Sequence, residues 1–330
     1  TAARVLFENG EYRLSNRLNI FDAPNGLILR GGADTRFIMT NRDYGVVLTL
    51  RSRNVAIENI TIDYNPLPFT QGTIVATGSG YSIMNIDAGY PDIDDGWLGA
   101  GIGVPLNGTA ALLRDLNIPG RMKVNSPQYF NITGWKKTGP HQFKINGLTD
   151  ASIGDRATFW RRHMDYCLNE GDCPDGHILY RNINLYSAPT MASPGGNTEK
   201  VFYRNCNFAI KPGTNRMQGS NGDGVHMPGC KNGPEIVNCL FEGLVDDSVT
   251  FYGVTYSIQA KYADNHFAVY TNGKMLNVGD KLVVYRPSDG TVLGCTLVTT
   301  TAGNVPVNGY SCVDITVDPA IPGVVVGDGQ

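Results

Sequence analysis

The sequence lacks any run of eighteen apolar residues, which excludes a helix long enough to span a bilayer. Charge of one sign is lacking as well: 27 Lys and Arg stand against 30 Asp and Glu, for a formal net charge of −3. That balance excludes the electrostatic footprint of a nucleic-acid binder or of a protein drawn to an acidic membrane surface. The first residues, TAARVLFENG, lack the basic and apolar character of a secretory leader. The expectation is that a signal peptide has been removed or was never present. No segment carries helical periodicity. The histidines and cysteines lack zinc-ligand spacing, GDGVH from Gly222 is not a phosphate loop, and no nucleophilic serine motif is present.

Glycine, by contrast, is abundant, with 40 residues in a chain of 330. That length suits one large solenoid or two to three ordinary domains. Self-similarity favours the solenoid. Four segments share the pattern Asn-[Ile/Cys]-x-[Ile/Leu/Phe]: NITI from Asn59, NINL from Asn182, NCNF from Asn205 and NCLF from Asn238. Their second and fourth residues are apolar, the alternation of a half-buried strand. Asn182 to Asn205 is 23 positions and Asn205 to Asn238 is 33, within the roughly 20–50 residues of a repeat architecture. The expected fold is all-β, a right-handed parallel β-helix in which a longer interval carries an extra loop. Coils stacked ~4.8 Å apart would set Ile183, Cys206 and Cys239 in one inward ladder, and Leu185, Phe208 and Phe241 in the next. The repeated Asn suits a turn, where its amide satisfies the backbone of a neighbouring coil. The LxxLxL spacing of a leucine-rich repeat is missing.

The coil pattern occupies 1–65 and 166–253 and is interrupted over 66–165 and 254–330. Both interruptions contain a Gly-Asp turn feeding a strand, IGDRATFW from Ile153 and VGDKLVVY from Val278. They read as two inserted antiparallel β-barrel-like domains. Seven cysteines is an odd number. Cys167 with Cys173, and Cys295 with Cys312, are candidate disulfides, while Cys206 and Cys239 read as buried free thiols. Sequons at Asn107 and Asn131 are candidate glycosylation sites, and the one at Asn59 lies in a strand pattern. These features favour a secreted protein.

The chemistry concentrates in one stretch. Shifted by 24 positions, DGVHM from Asp223 falls on DSVTF from Asp247. Val225 then stacks on Val249, His226 on Thr250 and Asp223 on Asp247, with Asp246 beside Gly222. Strand parity opposes this grouping, because Asp223 shares the parity of inward Val225, and Asp246 and Asp247 should face opposite ways. A bend removes both objections, and Gly222, Gly224 and Gly243 supply the means for one. Stacked carboxylates titrate as a coupled unit. Three readings stay open: separate turn caps, a calcium site, or an acid–base set. In the third, glycoside hydrolysis by inversion takes Asp246 as general acid, with Asp223 and Asp247 holding the water. His226 either bonds a sugar hydroxyl or is a plain surface histidine. Arg216 either binds substrate or offsets carboxylate charge. Tyr252 either stacks on a sugar face or packs between domains. Asp63 closes a turn. No cofactor is expected, and the expected partner is a carbohydrate.

The stretch DGVHMPGCKNGPEIVNCLFEGLVDDSVTFYG from Asp223 resembles the signature region of family 110 glycoside hydrolases. These are α-1,3-galactosidases that remove terminal galactose from blood-group-B-type and linear glycans. TIDYNPLPFTQGTIVA from Thr61 resembles that family's early motif. The resemblance implies a right-handed parallel β-helix with inserted β-barrel domains and an inverting mechanism. It carries the family's aspartates onto Asp223, Asp246 and Asp247. It also implies coils beyond GVVVGDGQ, supplied by a C-terminal remainder or a second chain.

Other β-helix proteins are the alternatives. Polygalacturonases also set one Asp before an Asp-Asp pair, but the His-Gly motif they add one coil later is missing here. Between Gly176 and Gly253 six Lys and Arg balance six Asp and Glu, which suits a neutral sugar better than an acidic one. A calcium-dependent polysaccharide lyase would need a Lys or Arg base, for which Lys231 and Arg216 are nearest. A non-catalytic carbohydrate-binding solenoid would need no base at all.

Overall fold

The computed structural model describes residues 2–93, 109–118, 120–162, 165–272 and 276–327. Asn107 lies outside them. Among the described residues every regular element is a β-strand, and the strands form three sheets. The largest has fourteen strands, joined by parallel pairings. Its central path runs Ala3–Phe7, Leu27–Gly31, Val55–Tyr64, Leu168–Leu185, Ser193–Arg204, Val225–Pro228 and Val249–Tyr252.

In-register stacking explains the repeated sequence. Ile60 pairs with Ile183, Ile62 with Leu185, Leu185 with Phe208, and Phe208 with Phe241. All of these except Phe241 are buried, and the Phe208 and Phe241 rings stack with centroids 5.4 Å apart. The four repeat asparagines take φ of 57°, 54°, 55° and 54° at Asn59, Asn182, Asn205 and Asn238. That left-handed bend is one Asn tolerates better than most L-residues. Their amides form a ladder: Asn182 donates to Asn59 at 2.8 Å, Asn205 to Asn182 at 3.1 Å and Asn238 to Asn205 at 2.9 Å. The partner is thus the next side chain. Among the described residues, only Asn59 of the four also reaches a backbone group, the Gly31 carbonyl, at 3.4 Å.

The second sheet is antiparallel and has seven strands drawn from Phe69–Arg161. Its core gathers Ile74, Met84, Leu113, Trp135, Phe143 and Phe159. The third, also antiparallel, has five strands from Ser257–Asp318, around Ile258, Phe267, Val284, Val298 and Ile315. The two Gly-Asp turns are built alike. Gly154 and Gly279 have φ of 95° and 92°, and the following Asp155 and Asp280 accept the N–H of Ser152 and Asn277, each at 2.7 Å. Neither ladder includes a pairing that closes it into a barrel among the described residues. The chain divides into two compact units, 1–227 with 232–251, and 228–231 with 252–330.

All seven cysteines are free thiols, which corrects both expected disulfides. Cys167 precedes, and Cys173 lies within, the one strand Leu168–Leu185. Six residues of extended chain hold them roughly 20 Å apart, where a bridge needs Cα atoms within about 7 Å. Cys312 pairs with Val305, ten positions along the strand Thr291–Val307 from Cys295. Cys312 is buried and Cys295 exposed. Cys206 is a buried thiol as expected, but Cys239, whose sulfur accepts the Cys206 N–H at 3.4 Å, is only half-buried.

Candidate functional site

Asp223 and Asp247 each lie between two bend residues, two positions before a parallel strand. The backbone fixes their relation. Ser193 pairs with Val225, and the Ser193 N–H donates to the carbonyl of the preceding residue, Gly224, at 2.8 Å. One pass further on the pattern repeats: Gly224 N–H donates to Asp247 at 2.9 Å, and Val225 N–H to Ser248 at 3.1 Å. Val225 therefore faces Val249, and Asp223 faces Asp247, at the 24-residue offset. Gly224 makes the close approach possible, because a Cβ there would lie 2.5 Å from the Ser248 carbonyl oxygen.

The three carboxylates occupy different surroundings. Asp223 is 4% exposed, and its Oδ2 lies 2.6 Å from His226 Nδ1. Asp247 is exposed and accepts the Thr250 hydroxyl at 2.8 Å. Asp246 is half-buried, accepts the Asp247 N–H at 3.2 Å and forms an ion pair with the Arg162 guanidinium. No group of three or more His, Cys, Asp or Glu side chains among the described residues is arranged to hold a metal ion.

Arg162 is a site residue that sequence reasoning missed. It follows the strand Arg156–Arg161 of the second sheet and bonds the Asn221 carbonyl through Nε at 3.2 Å. Val245, just before Asp246, packs with Phe69, Ala110, Leu112 and Trp160 of the same sheet. The antiparallel insertion thus reaches the aspartates from one side, with both an apolar and a charged contact. A buried polar chain supports the join. Arg114 donates to Gln218 Oε1 at 2.9 Å, Gln218 to Asn221 Oδ1 at 2.7 Å, and Asn221 to the carbonyls of Pro68, Arg161 and Pro189 at 2.8, 3.1 and 3.2 Å. Burial pushes the Arg114 guanidinium down to about 9, the expected penalty for a cation taken out of water.

Other candidates stand elsewhere. Arg216 grips Asp63, at 2.8 and 2.9 Å, rather than any of the three site aspartates. Asp63 closes no simple turn: it is 3% exposed and also accepts Lys211 at 2.9 Å, Ser187 at 2.7 Å and the Tyr64 N–H at 2.9 Å. Burial alone would raise its carboxyl, but hydrogen bonds and charge from Arg216, with Ser187 and Lys211, hold it below the ordinary value. Tyr252 falls in the second unit and is 47% exposed. Lys231, in that same unit, lies 3.9 Å from Asp280. Asn131 is exposed, with its backbone paired to Ala110.

No protein-family model matches the chain. Over 88 residues it is 30% identical to alpha-1,3-galactosidase A of Bacteroides thetaiotaomicron, a stretch covering 27% of this chain and 16% of that protein. The similarity takes in a minor share of each chain and indicates a relationship to a glycosidase.

Proposed function

We propose that the chain acts as an inverting exo-glycosidase that removes terminal α-linked galactose from oligosaccharides or glycans. The observation that carries the reading is the set of three aspartates, with Asp223 in register with Asp247 and Asp246 beside them. Water attacks the anomeric carbon as the bond to the leaving oxygen breaks. Asp246, protonated when substrate binds, gives its proton to that oxygen, and the ion pair with Arg162 seen in the structure is the state after that transfer. Asp223 and Asp247 orient the water and take its proton. In this reading His226, bonded to Asp223, accepts from or donates to a sugar hydroxyl. The fold this reading takes is a right-handed parallel β-helix, supported by parallel registers at offsets of 23 and 33. Its location would be outside the cytoplasm, where such glycans are met.

Turnover of aryl α- and β-glycosides by wild type and by the single variants Asp223→Asn, Asp246→Asn and Asp247→Asn tests it, with product anomers followed by NMR. Each variant is expected to lose about 10²–10⁴-fold in kcat, and an α-galactoside should release β-galactose first. Unchanged turnover in all three removes the aspartates from the chemistry. Release of the α-anomer removes inversion alone. A lyase is the second reading, because Arg162 beside Asp246 places a basic side chain at the acidic cluster. It predicts an unsaturated product from a uronate polymer and loss of activity with chelator.

A further inference from the structure

We infer that a second pocket, outside the aspartate cluster, binds an acidic monosaccharide unit through its carboxylate. This inference does not depend on the aspartates being catalytic. The cavity measures about 440 Å³, within the range of small-ligand sites, and none of Asp223, Asp246 and Asp247 lines it. Among the described residues Arg13, Arg42, Lys211 and Arg216 do, with Glu11 and Asp63 as the anions. Positive charge thus prevails locally in a chain whose net charge is −3.

Lys211 and Arg216 are held in place before any ligand arrives. Asp63 binds both Lys211 and Arg216 and can neutralise only one of them. Arg216 is 10% exposed and Lys211 40%, so the ammonium is the more open of the two. The loop between them is strapped to the second sheet. Gln71 donates to the Asn215 carbonyl and accepts the Met217 N–H, both at 3.0 Å, and the Tyr90 hydroxyl donates to Asn215 Oδ1 at 3.0 Å. Burial pushes that hydroxyl up to about 12, so it stays a neutral donor. Such fixing lowers the ordering cost of binding.

The apolar part of the lining selects the ligand. Tyr90, Leu67 and Pro66 line the cavity with apolar surface, on which the C–H face of a pyranose packs. Guanidinium and ammonium groups suit a carboxylate. A neutral sugar would make no use of the surplus positive charge, and a bare inorganic anion would leave the apolar surface unused.

Calorimetric titration with D-galacturonate, N-acetylneuraminate, D-galactose and sodium sulfate tests this. At least one acidic sugar should bind tenfold or more tightly than either galactose or sulfate, and the ratio between the two acidic sugars identifies which source the pocket prefers. Lys211→Gln should weaken that binding at least fivefold. Should this variant unfold, Arg42→Gln, which leaves the Asp63 pairs intact, takes its place with the same expected loss. Asp247→Asn should leave the affinity unchanged, which keeps this result separate from failure of the glycosidase reading. Absence of heat with both acidic sugars overturns the inference. So does equal binding of galactose or sulfate, or an affinity that follows Asp247→Asn rather than the cationic variants.

Discussion

Asp63 and Asp223 are two carboxylates hidden to the same degree, 3% and 4% exposed, at the edges of parallel strands in one sheet. Their neighbours differ. Asp63 meets Arg216, Lys211, a hydroxyl and an N–H, so its charge is compensated within the fold. Asp223 meets an imidazole at 2.6 Å and stands in register with another carboxylate. A buried charge is costly unless paired. Full pairing marks an anchor, whereas a partner that can itself gain or lose a proton leaves the group available for proton transfer. Burial alone would not have told the two apart.

Replacing the anchor should produce the largest effect. Asp63→Ala leaves the Arg216 guanidinium buried beside Ser187 without its counter-charge, which should cost about 3–5 kcal/mol in urea unfolding. Asp223→Asn keeps size and hydrogen-bonding capacity and should stay within about 1 kcal/mol of wild type. Equal losses in the two variants would break the comparison, because Asp223 would then be an anchor as well.

Glu170 sharpens the comparison from the other side, since it is a buried carboxyl held by hydroxyl groups. Its oxygens accept the hydroxyls of Tyr180 at 2.6 Å and Tyr203 at 3.1 Å, and burial pushes it from 4.5 up to about 8 despite those bonds. Its folded pKa lies above the unfolded one, so ionisation opposes folding. The penalty is absent below pH 4.5, grows as pH rises and is complete above about 8. It amounts to no more than about 5 kcal/mol. Asp63 has the opposite sign: its pKa is lowered, so its contribution is present above the ordinary carboxylate range and lost as pH falls through it. Urea unfolding at a series of pH values should show Glu170→Gln to be more stable than wild type above pH 8 and no different near pH 4. An unchanged alkaline slope would mean that Glu170 ionises without penalty and that its tyrosine cage compensates it as well as cations compensate Asp63.

What could be read in advance followed the repeat. Each ladder asparagine stands one position before an alternating apolar pair, so the interval between motifs located the stacked rungs. The same reasoning at 24 residues set Asp223 over Asp247. Contacts outside the repeat left no such trace. Arg162 reaches Asp246 across 84 positions, and Arg216 reaches Asp63 across 153. Both follow from where the second sheet and a loop are carried, which no local spacing encodes. The stretch CLNEGDC has the residues of a loop, yet it runs as strand because Val47–Leu50 and Ser193–Arg204 offer backbone partners on both sides. Tertiary pairing overrode local preference, and the disulfide reading failed with it.

The smallest expected effect tests whether the asparagine ladder holds the sheet by its hydrogen bonds or only by its backbone bend. Asn205 both donates to Asn182 and accepts from Asn238, while Asn238 donates to Asn205 and is the last asparagine of the repeat. At φ of 55°, alanine would add left-handed strain of about 1–2 kcal/mol to the loss of two bonds. Glycine keeps the bend and removes only the bonds. The ladder is exposed, so water recovers part of each, leaving roughly 0.5 kcal/mol per bond. Glycine also carries an entropic cost of its own in the unfolded chain, but that cost is shared by both positions and cancels between them. Asn205→Gly should therefore be about 0.5 kcal/mol less stable than Asn238→Gly, and Asn205→Ala less stable than either. Matching losses in the two glycine variants would mean that the bonds contribute nothing and that Asn is used here for its tolerance of the bend.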